Sequence, residues 1–368
     1  MYINFWYPVC KADELTPDEP RRVELLGLRF VAFRDSAGDP HVLSDTCIHR
    51  GGSLSRGKLA DDCVECPYHG WRFAGDGNCV RIPSMAEGKT PPARAKVDSY
   101  PVQEHYGIVF AFLGDLPEDE RPPVCPVAEY GQEGWRANEI AILEIDCYFE
   151  RSMENGLDPV HNQFVHPAQG FPPMLEDTLK MRREDWGNGF WVNFGLPDLS
   201  RTTLATDENT RPGEFRAGSW FHGPNTLVTS IFINKDSNMV QYFFEAPVND
   251  NQTRIYFLNM RNCMFEDGMD ETIMKINLGI AHEDIGILQE LWPVRTPDNL
   301  TKELMTPSDK VIVDFRERLA EWKNLGWEID RKAMRANHGD VALTIPCPAR
   351  KNAGNWILDT VPLLTPSS

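Results

Sequence analysis

Two short segments of the chain each offer one thiol and one imidazole at close spacing: Cys47 and His49 in "CIHRGG", and Cys66 and His69 in "CPYHGW". Sixteen residues separate His49 from Cys66, and Gly51, Gly52 and Gly70 flank the candidate ligands. Two thiolates and two imidazoles suit either a tetrahedral zinc ion or a [2Fe-2S] cluster in which two His replace two Cys on one iron. Zinc modules usually pair Cys with Cys or His with His at short spacing, whereas here each loop brings one of each. That mixture favours the cluster, one iron taking both thiolates and the other both imidazoles. Cys63 forms a Cys-x-x-Cys with Cys66, but using it would leave His49 or His69 without a role, so it reads as a strand or loop thiol. The glycines let backbone N–H groups approach the cluster sulfurs. Tyr68 is placed to donate a hydrogen bond beside the cluster, and Trp71 reads as a core or lid aromatic.

A cluster of this kind moves one electron at a time and does no chemistry on a substrate, so a second centre must use the electron. The stretch "MENGLDPVHNQFVHP" brings Asp158, His161 and His166 close together. Two His five positions apart reach one metal across a helix end, but such pairs are also common as surface or capping residues. A mononuclear iron that activates O2 takes two His and one carboxylate, with open positions opposite. The run "DETIMKINLGIAHEDIGILQELW" supplies the carboxylate. At 100° per residue, Met269, Ile273, Ile276, Ile280, Ile287, Leu288 and Leu291 form an apolar stripe with Asp284 near its centre, Glu283 at its edge and His282 on the polar face. A carboxylate on a buried stripe needs a compensating charge. A metal held by His161, His166 and Asp284 provides it; a salt bridge to Arg295 is the alternative.

The elements that must position these groups divide in two. Residues 1–130 read as short strands between turns, including "RVELLGLRFVAFR", "PHVLSD" and "YGIVFAFLGD", hence an all-β domain. A Pro-rich acidic segment follows, from Gly114 to Gly134. Residues 131–368 hold five strand-like runs, "IAILEIDCYF", "GFWVNFGL", "TLVTSIFIN", "MVQYFFEA" and "TRIYFLNM", and the long helix, an α+β pattern with an antiparallel sheet covered on one face. The last thirty residues carry no signal.

The balance of 37 Lys and Arg against 55 Asp and Glu gives a formal charge of −18, which repels phosphate backbones and suits a basic redox partner better than nucleic acid. Nine cysteines, an odd number scattered over 368 residues, argue against a disulfide framework. No apolar run of about 18 residues and no charged-then-apolar leader is present, which leads to the expectation of a soluble cytoplasmic protein with no membrane partner.

With "CIHRGG", "CPYHGW", "ENGLDPVHNQFVH" and "HEDIGILQE", the chain resembles the Rieske non-haem iron oxygenases over nearly its whole length. Within that family "LWPVRTP" and "MTPSDKVIVDFRERLAEW" are similar to the branch that includes pheophorbide a oxygenase and the saxitoxin-biosynthesis hydroxylases. The resemblance implies a Rieske domain followed by a helix-grip (START-like) catalytic domain, assembled as a head-to-tail homotrimer. It also implies that Asp158 bridges a cluster imidazole, His69, of one copy to an iron imidazole, His161, of the next.

The function expected from these residues is an oxygenase component, more a monooxygenase than a dioxygenase. A Rieske [2Fe-2S] cluster passes electrons by way of Asp158 to a mononuclear Fe(II) that uses O2 to hydroxylate a C–H bond of a cyclic small molecule. No Gly-x-Gly-x-x-Gly follows a strand, so NAD(P)H is used only through a partner, a ferredoxin or flavin reductase. Oxidative O- or N-demethylation and arene cis-dihydroxylation are the alternatives. Two other classes compete: a Rieske electron carrier with an added binding domain, and a zinc hydrolase with Glu154 as base. Met153, Asn155, Phe164, Phe232 and Tyr242 are candidate pocket residues.

Overall fold

A computed structural model of the chain describes residues 1–169, 174, 178–193, 216–233, 236–297 and 299–365. It divides into two compact units, Met1–Val124 with Glu321–Ser368, and Cys125–Ala320. The sequence places the division at residue 130; the change of unit lies at Cys125. Residues 321–368, grouped by sequence with the catalytic part, instead cluster with the first unit. The reason lies in long-range contacts that a single sequence conceals. Trp322 meets Phe5 edge-on, with ring centroids 4.8 Å apart. Arg350 grips the fully buried Asp98 through two bonds of 2.6 and 2.8 Å, and Tyr100 donates to the Ile345 carbonyl at 2.8 Å.

The first unit is built from small antiparallel sheets. Arg21–Leu25, Leu28–Arg34, Pro40–Ser44 and Ser99–Tyr100 form one four-stranded sheet. Phe5–Lys11, Ile108–Leu113 and Val102–His105 form a three-stranded one. The six residues of Ile108–Leu113 are all buried, which is why "IVFAFL" runs apolar without alternation. A second four-stranded sheet, Lys58–Ala60, Cys63–Glu65, Arg72–Phe73 and Cys79–Arg81, carries the "CPYHGW" loop. Cys47, Cys66, Val64, Leu54, Phe73 and Phe33 share one buried cluster, so both candidate thiols are rooted in the core.

The second unit is α+β. Its eight-stranded antiparallel sheet runs from Lys180–Glu184 through Gly187–Asn193, Arg216–His222, Thr226–Phe232 and Asn238–Asn249 to Gln252–Arg261, which pairs with both Arg136–Ala137 and Ala141–Ile145. Three of these strands, Arg136–Ala137, Lys180–Glu184 and Arg216–His222, were not among the five strand-like runs. Arg136–Ala137 is only two residues long, and Arg and Gly residues hide the apolar alternation of the other two. Phe149–Leu157 and Met269–Leu288 are the helices that matter for the site. No helix among the described residues is long and apolar enough to cross a membrane.

Candidate metal centres

The two thiol–imidazole loops are built alike. In the first, the Cys47 amide donates to the Gly52 carbonyl at 2.8 Å and Gly51 N–H to the Cys47 carbonyl at 2.9 Å. In the second, the Cys66 amide donates to the Trp71 carbonyl at 2.8 Å and Gly70 N–H to the Cys66 carbonyl at 3.0 Å. Each turn needs a left-handed residue four positions after its Cys, and glycine supplies it at φ +71° for Gly51 and +68° for Gly70. Thr46 bridges Ser53, and Glu65 pairs with Arg72, closing the two loops at equivalent places. Both thiols are buried while His49 and His69 lie at the surface, their ring centroids 4.5 Å apart.

These residues fit a two-iron cluster better than a single ion. Among the described residues, the group of three or more His, Cys, Asp or Glu whose ligand atoms all lie within 4.8 Å of one another is His161, His166 and Asp284. The four loop residues do not form such a group, although a tetrahedral zinc with bonds of about 2.0–2.3 Å would draw their ligand atoms within roughly 4 Å. They sit as an inner thiol pair and an outer imidazole pair. A Cβ on Gly52 would come 2.9 Å from Cys66 Sγ, so a larger residue there would crowd the sulfur. Burial pushes the Cys47 thiol up to about 12, and a bound cation is what would hold it as thiolate. Cys63 lies within its strand, as expected. Tyr68 is 56% exposed and lays its ring against His69 at 3.9 Å between centroids. Trp71 does more than fill core: it stacks on His49, with centroids 4.6 Å apart and planes 6° apart, and so fixes that imidazole.

In the second unit, the helix Phe149–Leu157 stops at Asp158, ahead of Pro159, and a single turn, Asn162–Val165, separates His161 from His166. That turn aims both imidazoles at Asp284, whose Oδ1 lies 3.0 Å from His166 Nε2 and 3.5 Å from His161 Nε2. The other ring nitrogens are held from behind. His161 Nδ1 bonds the Asp158 backbone carbonyl at 2.7 Å, and His166 Nδ1 bonds Glu283 Oε2 at 2.7 Å. Fixing Nδ1 as donor leaves both Nε2 atoms as metal ligands. Asn155 Nδ2 donates to Asp284 Oδ1 at 3.3 Å. Burial alone would lower the His166 imidazole, but the hydrogen bonds and charges of Asp284 and Glu283 prevail and raise it. A cation between these groups would meet the same negative field. The donor set, two imidazoles and one carboxylate, is that of a non-haem iron site with open positions.

The triad opens onto a cavity of about 170 Å³ walled largely by aliphatic and aromatic side chains, among them Leu143, Leu227, Ile231, Phe243, Phe257 and Ile280. Alternate residues of Thr226–Phe232, Asn238–Asn249 and Gln252–Arg261 face it. Of the five pocket candidates, only Asn155 is among its described lining residues. Phe232 and Tyr242 sit one position out of phase with Ile231 and Gln241, Met153 is buried elsewhere, and Phe164 is 74% exposed. Ile287, placed on the apolar stripe, is 49% exposed, because the cavity face of the helix centres on Asn277, Ala281 and Asp284. His282 is exposed, as expected. Arg295 lies over the Tyr148 ring and is no partner of Asp284. Glu154 pairs with Arg316 through bonds of 2.5 and 2.8 Å and does not line the cavity, which deprives the hydrolase reading of its base.

Comparison with known proteins decides the family. Residues 5–101 match the Rieske [2Fe-2S] domain, and residues 145–325 match the vanillate O-demethylase oxygenase C-terminal domain. The chain belongs to the Rieske non-haem iron oxygenases. Chlorophyllide a oxygenase of Chlamydomonas reinhardtii is 33% identical over 58% of this chain and 33% of its own length. Phenoxybenzoate dioxygenase subunit alpha of Ectopseudomonas oleovorans is 35% identical over 50% of this chain and 47% of its own. The matches thus span a third to a half of those two relatives. Methylxanthine N1-demethylase NdmA of Pseudomonas putida is 26% identical over 87% of this chain and 89% of its own. Among solved structures, NdmB of Pseudomonas putida CBB5 aligns with a TM-score of 0.72 at 24% identity, covering 88% of this chain and 91% of that one. Dicamba monooxygenase bound to 3,6-dichlorosalicylic acid gives 0.72 at 20%, covering 88% and 97%. These likenesses fix the fold. The two family domains imply a Rieske cluster and a mononuclear iron.

The sequence alone assigns no role to two acidic residues near the triad and cavity. Glu283 was left at the edge of the stripe, yet its carboxylate sets the ring of His166. Replacing it with alanine is expected to lower iron affinity roughly 10–100-fold, read by iron retention against a chelator, with the cluster unaffected. Glu245 lies fully inside the cavity wall, where burial without a counter-charge pushes its carboxyl up to about 8, the Ser152 hydroxyl working against that. Between the ordinary value of 4.5 and 8 the folded chain keeps a proton that the unfolded chain releases, so stability falls as pH rises through that window. A Glu245→Gln variant loses this dependence: its melting temperature relative to the unaltered chain rises between pH 5 and pH 8.

Proposed function

We propose that this chain is the oxygenase component of a system that hydroxylates a C–H bond of a cyclic small molecule. Cys47 and Cys66 would hold the inner iron of the cluster, His49 and His69 the outer one, and His161, His166 and Asp284 the mononuclear iron. The observation that carries this reading is the convergence of His161, His166 and Asp284 on the wall of the cavity. Iron bound there supplies activation of O2 against a C–H bond, with electrons delivered singly from the cluster.

The chain's own residues do the rest. The Asp158 carbonyl and the Glu283 carboxylate orient the two imidazoles, and Asn155 fixes the Asp284 carboxylate. The apolar wall keeps bulk water from the reacting carbon. The Asp158 carboxylate accepts from the Val160 amide at 2.7 Å, and burial makes this carboxyl a weaker acid than usual. Its proposed task is to couple His161 to His69 of a neighbouring copy in a homotrimer, with a ferredoxin or flavin reductase as electron source.

Hydroxylation, demethylation and dihydroxylation separate by product. Under 18O2, with a flavin reductase and NADH, hydroxylation leaves one labelled oxygen in the product and no formaldehyde. Formaldehyde release identifies a demethylase, and two labelled oxygens a dihydroxylating enzyme. Iron-replete protein that took up no O2 with any cyclic substrate would favour the electron carrier instead.

A further inference from the structure

A row of polar groups crosses the sheet wall of the cavity. Ser219, Thr229 and Gln241 are register partners on three adjacent strands, and all three line the space. The Ser219 and Thr229 hydroxyls lie 3.0 Å apart, and Gln241 Nε2 donates to Asn277 Oδ1 at 3.2 Å. That bond leaves Asn277 Nδ2 enclosed on the cavity wall with no partner. Glu245 presents a second such atom. Its Oε1 accepts from the Ser152 hydroxyl at 2.7 Å, its Oε2 has no partner, and the residue is 1% exposed. Buried polar atoms are rarely left unpaired, and two around one apolar space point to a ligand that completes them.

The charges narrow the ligand. The described lining contains Asp158, Glu245 and Asp284 but neither Lys nor Arg. Away from the metal triad, an anion would meet the Glu245 carboxyl with no Lys or Arg among the described lining residues to offset its charge. A carboxyl kept neutral by burial has one O–H to donate, and the Asn277 amide has two N–H. The spacing fits a compact molecule. Asn277 lies two helical turns before Asp284, about 10 Å by axial rise, with Ile280 and Ala281 between them on the cavity wall. Glu245 is reached through Ser152, one turn before the Asn155 that touches Asp284.

Resting on the reading of this cavity as the substrate site, we propose that Glu245 and Asn277 recognise a neutral, largely apolar cyclic substrate, each able to donate a hydrogen bond to a carbonyl-type oxygen. Aromatic carboxylates are then outside the substrate class.

The test is calorimetric titration of the metal-loaded protein at pH 7 with three matched probes: tetralin, 1-tetralone and 1,2,3,4-tetrahydro-1-naphthoate. The ketone is expected to bind roughly tenfold tighter than the hydrocarbon, and the carboxylate no tighter than the hydrocarbon. In a Glu245→Met, Asn277→Leu double variant the ketone falls to the hydrocarbon's affinity, while the hydrocarbon's own changes less than about twofold. Tightest binding by the carboxylate, a ketone preference that survives the double variant, or no binding by any probe would overturn the proposal. The three-probe comparison on the unaltered chain stands even if the variant does not fold. Calorimetry does not read turnover. A ketone preference in iron-replete protein that consumes no O2 would sink the oxygenase reading and keep this one; O2 consumption with tight carboxylate binding would do the reverse.

Discussion

Replacing Asp284 by alanine yields a protein that keeps its two-iron cluster, loses the third iron and drops in turnover by on the order of 10³-fold or more. Asp284 Oδ1 is the atom toward which both His166 Nε2 and His161 Nε2 point, at 3.0 and 3.5 Å. It is also the anionic member of the triad, so its removal leaves two imidazoles that must hold a divalent ion alone. Asn155 would lose its acceptor, and the cavity would gain a void beside the two rings. Iron analysis and the spectrum of the reduced cluster read the two centres separately. Retention of the third iron at near-normal activity would remove Asp284 from the ligand set.

An Asp158→Ala variant is expected to keep both metal centres and lose turnover by roughly 10²-fold or more. Two different parts of Asp158 do different work. Its carbonyl holds His161 Nδ1, and alanine keeps that carbonyl. Its carboxylate accepts from the Val160 amide at 2.7 Å and also interacts with the His161 backbone amide, and it is the group proposed to couple the cluster to the iron. Stopped-flow reduction followed by single turnover distinguishes slowed electron transfer from a damaged site. Near-normal activity would show that the electrons travel another way, and loss of iron would make the carboxylate a structural element of the turn.

The cluster loops were legible because their chemistry is local. Cys47 with His49, and Cys66 with His69, lie within three residues of each other, and the glycines that permit each turn stand at fixed offsets in the same segment. Asp284 was legible through helical period, since a carboxylate centred on an apolar stripe demands a partner. The same period argument misplaced Ile287 and left Glu283 without a role, because it locates a face but not what lies across from it. Whether Glu283 reaches His166 depends on how a helix more than a hundred residues downstream packs, and nothing local records that distance.

The pocket shows the same limit. Aromatic residues such as Phe164 and Tyr242 attracted attention by size, but strand parity decided which side chains turn inward, and Gln241, Glu245 and Asn277 passed unnoticed among apolar neighbours. The C-terminal segment gave no signal because its anchoring is by single contacts, Arg350 on Asp98 and Ile345 under Tyr100, which have no periodicity.

The central claim is that one chain carries both a two-iron cluster and a separate mononuclear iron. Metal and acid-labile sulfide analysis of anaerobically purified protein, with an electron paramagnetic resonance spectrum after reduction, tests it most directly. About three iron and two sulfide per chain with a Rieske-type signal is the predicted result. About two iron and two sulfide in iron-replete protein would leave an electron carrier, and zinc without sulfide would contradict the account at its root.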